Sequence, residues 1–444
     1  MTINAAPLLL EKSLANLSAN LSNQSIHKPT KKKHSLSYDC GGDRYIPNRR
    51  AMDMDRAQFY LTQAAVVSDP SLLPKLSDRI LEFSRKRPSV PGQEVTALEK
   101  SKIKQSVRYI PKRPENVLDA PDLLNDYYLN LIDWSKQYTI AVALDRDVYL
   151  WNARFGGVKL LMTAGLSGES ITSVRFSPHD GNVLAVGTSM GRLQLWDVEH
   201  TSLQRTMLRD DGDPARIPAL AWRDHVVTTA SRTGEIRHHD IRVARHLIGY
   251  SDTHTQEVCG LQWSPDDRFL ASGGNDNLVC IYSASEAFKL SRGRPDHVLN
   301  EHVAAVKAIA WCPWKPTLLS TGGGTRDHHL RFWNVYSGAC VRAVDVESQV
   351  SGIVWSEEYR ELITGHGSGS LCIWKYPNIQ KVKELTEHQD RVLSIVASPD
   401  KEMVASCSAD ETIRIWHCFK VDKAKKRLEE QRKASIFAFP RPMR

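Results

Sequence analysis

The stretch HQDRVLSIVASPDKEMVASCSADETIRIW (388–416) determines the fold. It contains three short apolar strands separated by polar turns, and it ends on a tryptophan. Comparable strand endings recur along the whole chain, with the marker residue at Trp151, Trp196, His239, Tyr282, Trp333, Trp374 and Trp416. Successive markers are 45, 43, 43, 51, 41 and 42 residues apart. A period of about 40–45 residues with several short strands per unit predicts an all-β, seven-bladed propeller.

A second pattern inside the repeats agrees with this fold. His388 stands four residues before a strand, and Asp410 stands six residues before Trp416. The same spacing recurs at His254 with Asp276 and at His302 with Asp327. The resemblance to WD-repeat blades implies a buried chain of His388, Ser406, Asp410 and Trp416, in which the ring nitrogens of the histidine are satisfied. Because the trio of His, Ser and Asp recurs repeat by repeat, a structural role is favoured over catalysis.

The composition restricts the class of protein. The chain has 444 residues, of which 41% are hydrophobic, and no run of 18 apolar residues. No membrane span is therefore expected, and the N-terminus lacks the basic region of a secretory signal. The eight cysteines never form a CxxC pair and lie mostly in apolar strands. This usage predicts buried thiols in a reducing compartment, and we expect the protein in the nucleus and cytoplasm.

The net charge of +8 is distributed unevenly. Residues 1–115 hold 20 Lys/Arg against 11 Asp/Glu, and residues 418–444 hold 9 against 3. With +9 and +6 at the two ends, the middle of the chain carries −7. An acidic body favours ligands that carry Arg and Lys, and it argues against a nucleic-acid partner.

The first 115 residues form a polar arm. They are rich in Ser, Asn, Lys and Pro and have few periodic apolar stretches, so we predict that the arm is mostly disordered. Within it, KPTKKKH (28–34) and SRKRP (84–88) are candidate nuclear-import signals or simply solvated charge.

The arm contains DRYIPNR (43–49), a candidate docking peptide. Pro47 favours an extended backbone at Ile46, and Arg44 and Arg49 flank the apolar pair Tyr45–Ile46. Such a peptide docks through two charge-assisted contacts and one buried aliphatic side chain. The segment resembles the C-box of the Fizzy family (cell division cycle protein 20 type), whose members are activators of the anaphase-promoting complex. The matching residues are Asp43, Arg44, Tyr45, Ile46, Pro47, Asn48 and Arg49.

The resemblance continues through most of the chain. RAMDMDRAQFYLT (50–62) is similar to the short helix after the C-box of the family, and VLDAPDLLNDYYLNLIDW (117–134) is similar to its entry into the first blade. RYIP occurs again at 108–111, where we interpret it as a strand leading into the first blade. The propeller is assigned to residues 116–422. A basic tail, 423–444, ends in Met443–Arg444 where the family usually ends in Ile-Arg.

RILEF (79–83) is a further candidate motif in the arm. In the family, a Lys/Arg-Ile-Leu-x-hydrophobic segment binds the spindle-checkpoint Mad protein, and here Arg79, Ile80, Leu81 and Phe83 match it. Alternating apolar residues suit addition of a strand to a partner's sheet. The alternative is a short amphipathic stretch without a partner. The motif favours the mitotic branch of the family.

The family recognises short degradation signals, called degrons, and the resemblance implies no catalytic residue, cofactor or metal. It assigns the acidic pair that receives the arginine of a D-box to Asp133 and Glu411, which come from the first and last repeats and which a closed ring makes neighbours. The alternative for Glu411 is a solvated turn residue beside Asp410. The residues that match the surface for the KEN-box degron are Asn275, Asn277, Thr325, Gln349 and Arg391.

The resemblance therefore implies a non-catalytic activator and substrate receptor of the anaphase-promoting complex. The C-box and C-terminal arginine dock on tetratricopeptide-repeat subunits of the ligase, and the propeller binds substrates such as cyclins and securin. Spindle-checkpoint proteins are further expected partners, whereas nucleic acid and membranes are not. The alternative is a WD-repeat scaffold that does not activate the ligase.

Overall fold

A computed structural model describes residues 108–165, 168–179, 181–208, 214–289 and 292–420. These residues form seven four-stranded antiparallel sheets, which pack side by side as the blades of a closed propeller. The predicted fold class is confirmed. The motifs predicted at 43–49, 50–62 and 79–83, together with Met443 and Arg444, lie outside the described residues.

Each blade runs from an inner strand at the channel to an outer edge strand. Blade 1 consists of β2 (Ile132–Trp134), β3 (Thr139–Leu144), β4 (Asp147–Asn152) and β5 (Val158–Thr163). Blade 2 consists of β6 (Ile171–Phe176), β7 (Val183–Thr188), β8 (Leu193–Asp197) and β9 (Ser202–Met207). Blade 3 consists of β10 (Ala219–Arg223), β11 (Val226–Ala230), β12 (Ile236–Asp240) and β13 (Leu247–Ser251).

The remaining blades repeat this arrangement. Blade 4 consists of β14 (Val258–Trp263), β15 (Phe269–Gly274), β16 (Val279–Ser283) and β17 (His297–Leu299), with the single helical turn α1 (Ala284–Ala287) after β16. Blade 5 consists of β18 (Val306–Trp311), β19 (Leu318–Gly323), β20 (His329–Asn334) and β21 (Ala339–Asp345). Blade 6 consists of β22 (Val350–Ser356), β23 (Glu361–His366), β24 (Leu371–Lys375) and β25 (Gln380–Leu385). Blade 7 consists of β26 (Val392–Ala397), β27 (Val404–Ser408), β28 (Thr412–Trp416) and β1 (Asn116–Asp119).

Blade 7 closes the ring with strands from both ends of the propeller. Strand β1 pairs with β28 in the register Asn116↔Ile415 to Asp119↔Thr412 and supplies the outer edge of this last blade. The prediction of a lead-in strand at 108–111 is wrong, because those residues form no strand. Pro111 and Pro114 carry no N–H for a strand ladder, so regular pairing begins only after them.

The burial pattern explains the sequence of the strands. All six residues of β23 are buried, whereas the edge strand β25 is exposed at most of its positions. Strands in the interior of a blade are covered on both faces by neighbouring blades, so their polar side chains are buried together with the apolar ones. Edge strands have one side in solvent and contain Lys and Glu, which also discourage pairing with other chains.

A buried polar chain holds the turns of blade 7 together, as predicted. The Nδ1 atom of His388 lies 3.0 Å from Asp410 Oδ2, and its Nε2 atom lies 2.7 Å from Ser406 Oγ. Trp416 Nε1 donates to the same Ser406 hydroxyl at 2.9 Å. Equivalent chains join His254 to Asp276 in blade 4 and His302 to Asp327 in blade 5. The geometry confirms their structural role, because each histidine is enclosed and bonded at both ring nitrogens.

The hairpins sort onto two faces of the propeller. We call the face with the second-to-third strand hairpins and the blade-to-blade connections the upper face, and the face with the first-to-second strand hairpins the lower face. Six upper-face hairpins contain a residue with positive φ at the same position: Gly191, Gly234, Asn277, His328, Gly369 and Glu411. Seven cysteines fall within the described residues, and all are free thiols, six of them buried.

Candidate functional site

The upper face carries a cavity of about 250 Å³ between blades 4, 5 and 6. Four residues of the predicted KEN-box surface line it together: Asn275, Asn277, Thr325 and Gln349. Asn275 and Asn277 belong to the hairpin between β15 and β16, Thr325 to the hairpin between β19 and β20, and Gln349 to the connection into β22. These amide and hydroxyl groups from three blades converge on one concave surface, where they can bind the polar groups of a peptide.

Two tyrosines form the inner wall of the cavity. Tyr128 Oη donates to Asn275 Oδ1 at 2.8 Å, and Asn275 Nδ2 donates to Gln256 Oε1 at 2.7 Å. Tyr127 Oη donates to the Val350 carbonyl at 3.0 Å, and burial raises the pKa of this tyrosine strongly. The phenols therefore remain neutral donors, and the Asn275 amide is fixed in orientation before any ligand arrives.

Asn277 has a left-handed backbone with φ of 66°. Asparagine tolerates this conformation better than most side chains, and the turn presents its amide at the rim of the cavity. A residue of this type in an exposed hairpin is consistent with both a turn role and a binding role.

Arg391, the fifth predicted KEN-box residue, lies outside the lining of that cavity. Its Nε and Nη2 atoms donate to the side chain and the carbonyl of Asn125 at 2.7 and 2.9 Å. Asn125 precedes the two tyrosines by only two residues, so the guanidinium borders the segment that forms the inner wall. Arg391 is half-buried, and its guanidinium keeps N–H donors with which it can bind an anion.

Asp133 and Glu411 do not form the acidic pair that the sequence predicts. Asp133 lies on inner strand β2 next to the lower face, where its Oδ2 accepts the Phe176 N–H at 2.7 Å and Oδ1 lies 3.3 Å from Arg175. It is only 8% exposed, and burial raises its pKa, opposed by Arg175 and by backbone N–H groups. Glu411 is exposed in the hairpin between β27 and β28, on the upper face. Ring closure makes their blades neighbours, but it leaves the two carboxylates on opposite faces.

Asp119 is the acidic residue that lies beside Glu411. It is exposed at the end of β1, where it pairs with Thr412, and the next residue, Ala120, donates its N–H to the Glu411 carbonyl at 2.8 Å. Two exposed carboxylates on adjacent turns form a site suited to a guanidinium. The sequence contains Asp119 in an obvious polar stretch, but only the pairing of β1 with the last blade shows which residue it adjoins.

No group of three His, Cys, Asp or Glu side chains within the described ranges is arranged to hold a metal ion. The same part of the chain contains no helix that is long and apolar enough to cross a membrane.

Comparison with known proteins places this fold and surface in a family. The family model for the CDC20/Fizzy WD40 domain matches residues 118–416. The anaphase-promoting complex subunit cdc20 of Dictyostelium discoideum is 48% identical over 320 residues, which cover 71% of this chain and 62% of that relative. Cell division cycle 20.1, cofactor of APC complex, of Arabidopsis thaliana is 42% identical over 410 residues, covering 87% and 89%. A chain from the crystal structure of the mitotic checkpoint complex matches with a TM-score of 0.66 and 40% identity, over 78% of this chain and 100% of that one.

Proposed function

This chain belongs to the CDC20/Fizzy family of WD40 proteins, and we propose that it is an activator and substrate-recognition subunit of the anaphase-promoting complex ubiquitin ligase. The relatives support the coarse role, because the Arabidopsis protein named as a cofactor of the complex aligns over 87% of this chain. In this role the chain is a non-catalytic adaptor that binds degrons and presents them to the ligase. The observation that carries the proposal is the upper-face cavity with its four convergent polar residues.

The cavity between blades 4, 5 and 6 is the proposed site for the KEN-box. Carbonyl oxygens of Asn275, Asn277 and Gln349 can accept hydrogen bonds from a lysine ammonium, while their amide N–H groups can donate to an asparagine carbonyl. Arg391 borders this site with a half-buried guanidinium that suits a glutamate. The preorganised Asn275 amide lowers the entropy lost on binding.

The proposed D-box site uses Glu411 with Asp119, in place of Asp133. Both carboxylates are exposed, and β1 places them on adjacent turns of blade 7. Asp133 is already committed to Arg175 and to the Phe176 N–H, so it has little capacity left for a ligand.

The contacts with the ligase are assigned to the segments outside the propeller. The C-box at 43–49 and the terminal arginine, Arg444, are the proposed docking elements, with tetratricopeptide-repeat subunits as receptors. The segment 79–83 is the proposed site for a spindle-checkpoint protein, which the match to a mitotic checkpoint complex structure supports. Each degron contact is weak alone, and tethering to the ligase raises its effective concentration to about millimolar.

A ubiquitination assay with purified ligase tests the function. We expect the full-length chain to stimulate modification of two model substrates, one with only a KEN-box and one with only a D-box. Asn277→Gly removes an amide but keeps a residue that accepts positive φ. It should lower the affinity for the KEN-box substrate by 5- to 150-fold, equivalent to about 1–3 kcal/mol. Asp119→Asn should do the same to the D-box substrate alone.

The outcomes separate the alternatives. A chain that binds both degron peptides but never stimulates the ligase would be a WD-repeat scaffold without ligase activation. Equal losses for both substrates in either variant would show that the residue acts through blade stability, and the assignment of two separate sites would be wrong.

A further inference from the structure

The propeller already holds one arginine-containing segment in a built cleft. Arg108 stacks on the Tyr359 ring, with Cζ 4.1 Å from the ring centroid, and its Nη1 atom lies 2.5 Å from Glu361 Oε2. Its Nε atom donates to the Cys418 carbonyl at 2.9 Å, and its Cζ atom lies 5.2 Å from the centroid of the Phe419 ring, which stacks on Tyr359. We call the set Tyr359, Glu361, Cys418 and Phe419 the arginine cleft, which lies where blades 6 and 7 meet.

The rest of the segment is bound just as specifically. Ile110 is 4% exposed and packs among apolar residues of blades 6 and 7. Its carbonyl accepts a hydrogen bond from Lys383 Nζ at 2.6 Å. The cleft therefore binds an arginine and, two residues later, an isoleucine, whose backbone is restricted to an extended conformation by the proline that follows it.

The acidic wall of the cleft requires a cation. Glu361 is 4% exposed, and Lys375 Nζ reaches its Oε1 only at 3.4 Å. Without the Arg108 guanidinium this buried carboxylate would keep one distant partner, and an uncompensated buried charge is strongly unfavourable. The empty cleft is thus unfavourable in free energy, and a segment that supplies another arginine would stabilise it.

The chain contains a second copy of the bound segment. Residues 108–113 are RYIPKR and residues 44–49 are RYIPNR, so the two hexapeptides differ only at Lys112 and Asn48. Burial, together with the positive charge of Lys112, holds the pKa of Lys383 below its ordinary value. An asparagine at that position removes a like charge from the neighbourhood of Lys383. The second copy therefore keeps the arginine, the isoleucine and the proline that follows it, and it lacks the lysine that repels Lys383.

We propose that the arginine cleft is a receptor for segments of the form Arg-Tyr-Ile-Pro-x-Arg, and that the C-box, residues 43–49, exchanges with residues 108–113 in it. The cleft then holds one copy at a time, and a C-box held there is withdrawn from other partners. Only this last consequence, for ligase docking, rests on the proposed function. Residues 108–113 lead directly into β1 and therefore have the higher effective concentration at the cleft.

A fluorescent peptide with the sequence of residues 42–50 tests the exchange. It is titrated into the full-length chain, into the variant Arg108→Ala/Ile110→Ala, and into the same variant with Arg44→Ala/Ile46→Ala added. We call these the twofold and the fourfold variant, after the number of substitutions. The affinity for the peptide should be at least tenfold higher in the fourfold variant than in the native chain, because both internal competitors are then removed. The twofold variant should bind at least threefold more weakly than the fourfold one, since its own C-box still competes.

Matched controls make the result decisive. A peptide with alanine in place of Arg44 and Ile46 should not bind, and Glu361→Gln in the fourfold variant should abolish the gain. The proposal is overturned if the fourfold variant binds the native and control peptides equally, or if the twofold and fourfold variants bind with the same affinity. If the variant without Ile110 does not unfold cooperatively, Arg108→Lys replaces Arg108→Ala/Ile110→Ala, and the same criteria apply. Arg108→Lys keeps Ile110 in the core but removes the guanidinium plane that stacks on the ring. No ligase is present, so the outcome does not depend on the proposed function.

Discussion

At the scale of the residue, three histidines in equivalent positions titrate differently. Burial is the largest single effect on His254 and lowers its pKa, but the interactions with Asp276 and Cys280 together outweigh burial and raise the pKa to about 9. Burial prevails at His302 and His388, whose pKa values are lowered. The residues four positions after the three aspartates are Cys280, Arg331 and Arg414. The two arginines add a positive charge that opposes protonation of the neighbouring histidine.

This difference predicts opposite pH dependences for two equivalent substitutions. His254 has a folded pKa above its unfolded value, so its contribution to stability is complete below about pH 6.5 and is lost as pH rises through 9. His388 has a lowered pKa, so its contribution is present above about pH 6.5 and is lost on acidification. The destabilisation by His254→Asn should therefore shrink by on the order of 3 kcal/mol between pH 6 and pH 9.5. That by His388→Asn should grow between pH 5 and pH 7.5.

Denaturant unfolding of both variants and the native chain at four pH values measures these trends. His302→Asn is the matched control and should follow His388→Asn, because Arg331 occupies the position of Arg414. Parallel pH profiles for the His254 and His388 variants would contradict the assignment of charge to the arginines.

At the scale of the element, the upper-face hairpins reveal where the chain accepts strain. Glycine takes the left-handed position in blades 2, 3 and 6, whereas Asn277, His328 and Glu411 take it in blades 4, 5 and 7. Glutamate is a poor choice there, because the left-handed conformation costs a side chain about 1–2 kcal/mol. Under the proposed function, this strain is retained at Glu411 because its carboxylate binds the degron.

Glu411→Gly should therefore stabilise the fold and weaken D-box peptides together. We expect a gain of up to about 1 kcal/mol in the free energy of unfolding, with a 5- to 150-fold loss of affinity for arginine-bearing peptides. His328→Gly is the control, with a similar gain in stability and no change in D-box affinity. Thermal melts and peptide anisotropy measure both quantities, and a stabilised variant with full D-box affinity would reduce Glu411 to a turn residue.

At the scale of the whole molecule, one lysine joins blades across the ring. Lys307 of blade 5 is buried and donates through Nζ to the Leu129 carbonyl at 2.7 Å and to the Leu393 carbonyl of blade 7 at 2.6 Å. Burial lowers its pKa to about 8. The ammonium thus links the segment before blade 1, blade 5 and blade 7 at the channel.

Lys307→Met should destabilise the propeller by about 2–4 kcal/mol at pH 7, because two carbonyls lose their donor. The folded pKa lies below the ordinary value of 10.5, so burying the charge carries a penalty below pH 8 that disappears as pH rises to 10.5. The gap between native and variant stability should therefore widen from pH 8 to pH 10. Lys315→Met, at an exposed position, should change stability by less than about 0.5 kcal/mol. A gap that narrows over this range would contradict the assignment.

The features that could be predicted from the sequence are those formed within one repeat. The features that could not be predicted depend on the closure of the ring by β1 and the last blade. The marker at Trp416 and its spacing from Asp410 predict the blade and its buried polar chain, because these contacts lie within one repeat. The convergence of Asn277 with Thr325 also follows, since consecutive blades present equivalent hairpins. The place of Asp119 does not follow, because β1 pairs with a strand almost 300 residues later. The predicted position of Asp133 beside Glu411 is wrong, because membership of the first repeat does not determine on which face of the propeller a side chain lies.

The junction of Arg108 with the Cys418 carbonyl has a mechanical consequence. The chain enters the propeller at a point that contacts the point where it leaves. Both chain ends are therefore attached to the propeller at a single site on its rim. A propeller attached at a single site on its rim would be free to rotate about that site. Under the proposed function, a bound substrate would move through an arc with the propeller, and many of its lysines would come within range of the ligase without release of the degron. A second attachment on the opposite rim would stop the swing and restrict modification to the few lysines facing one direction.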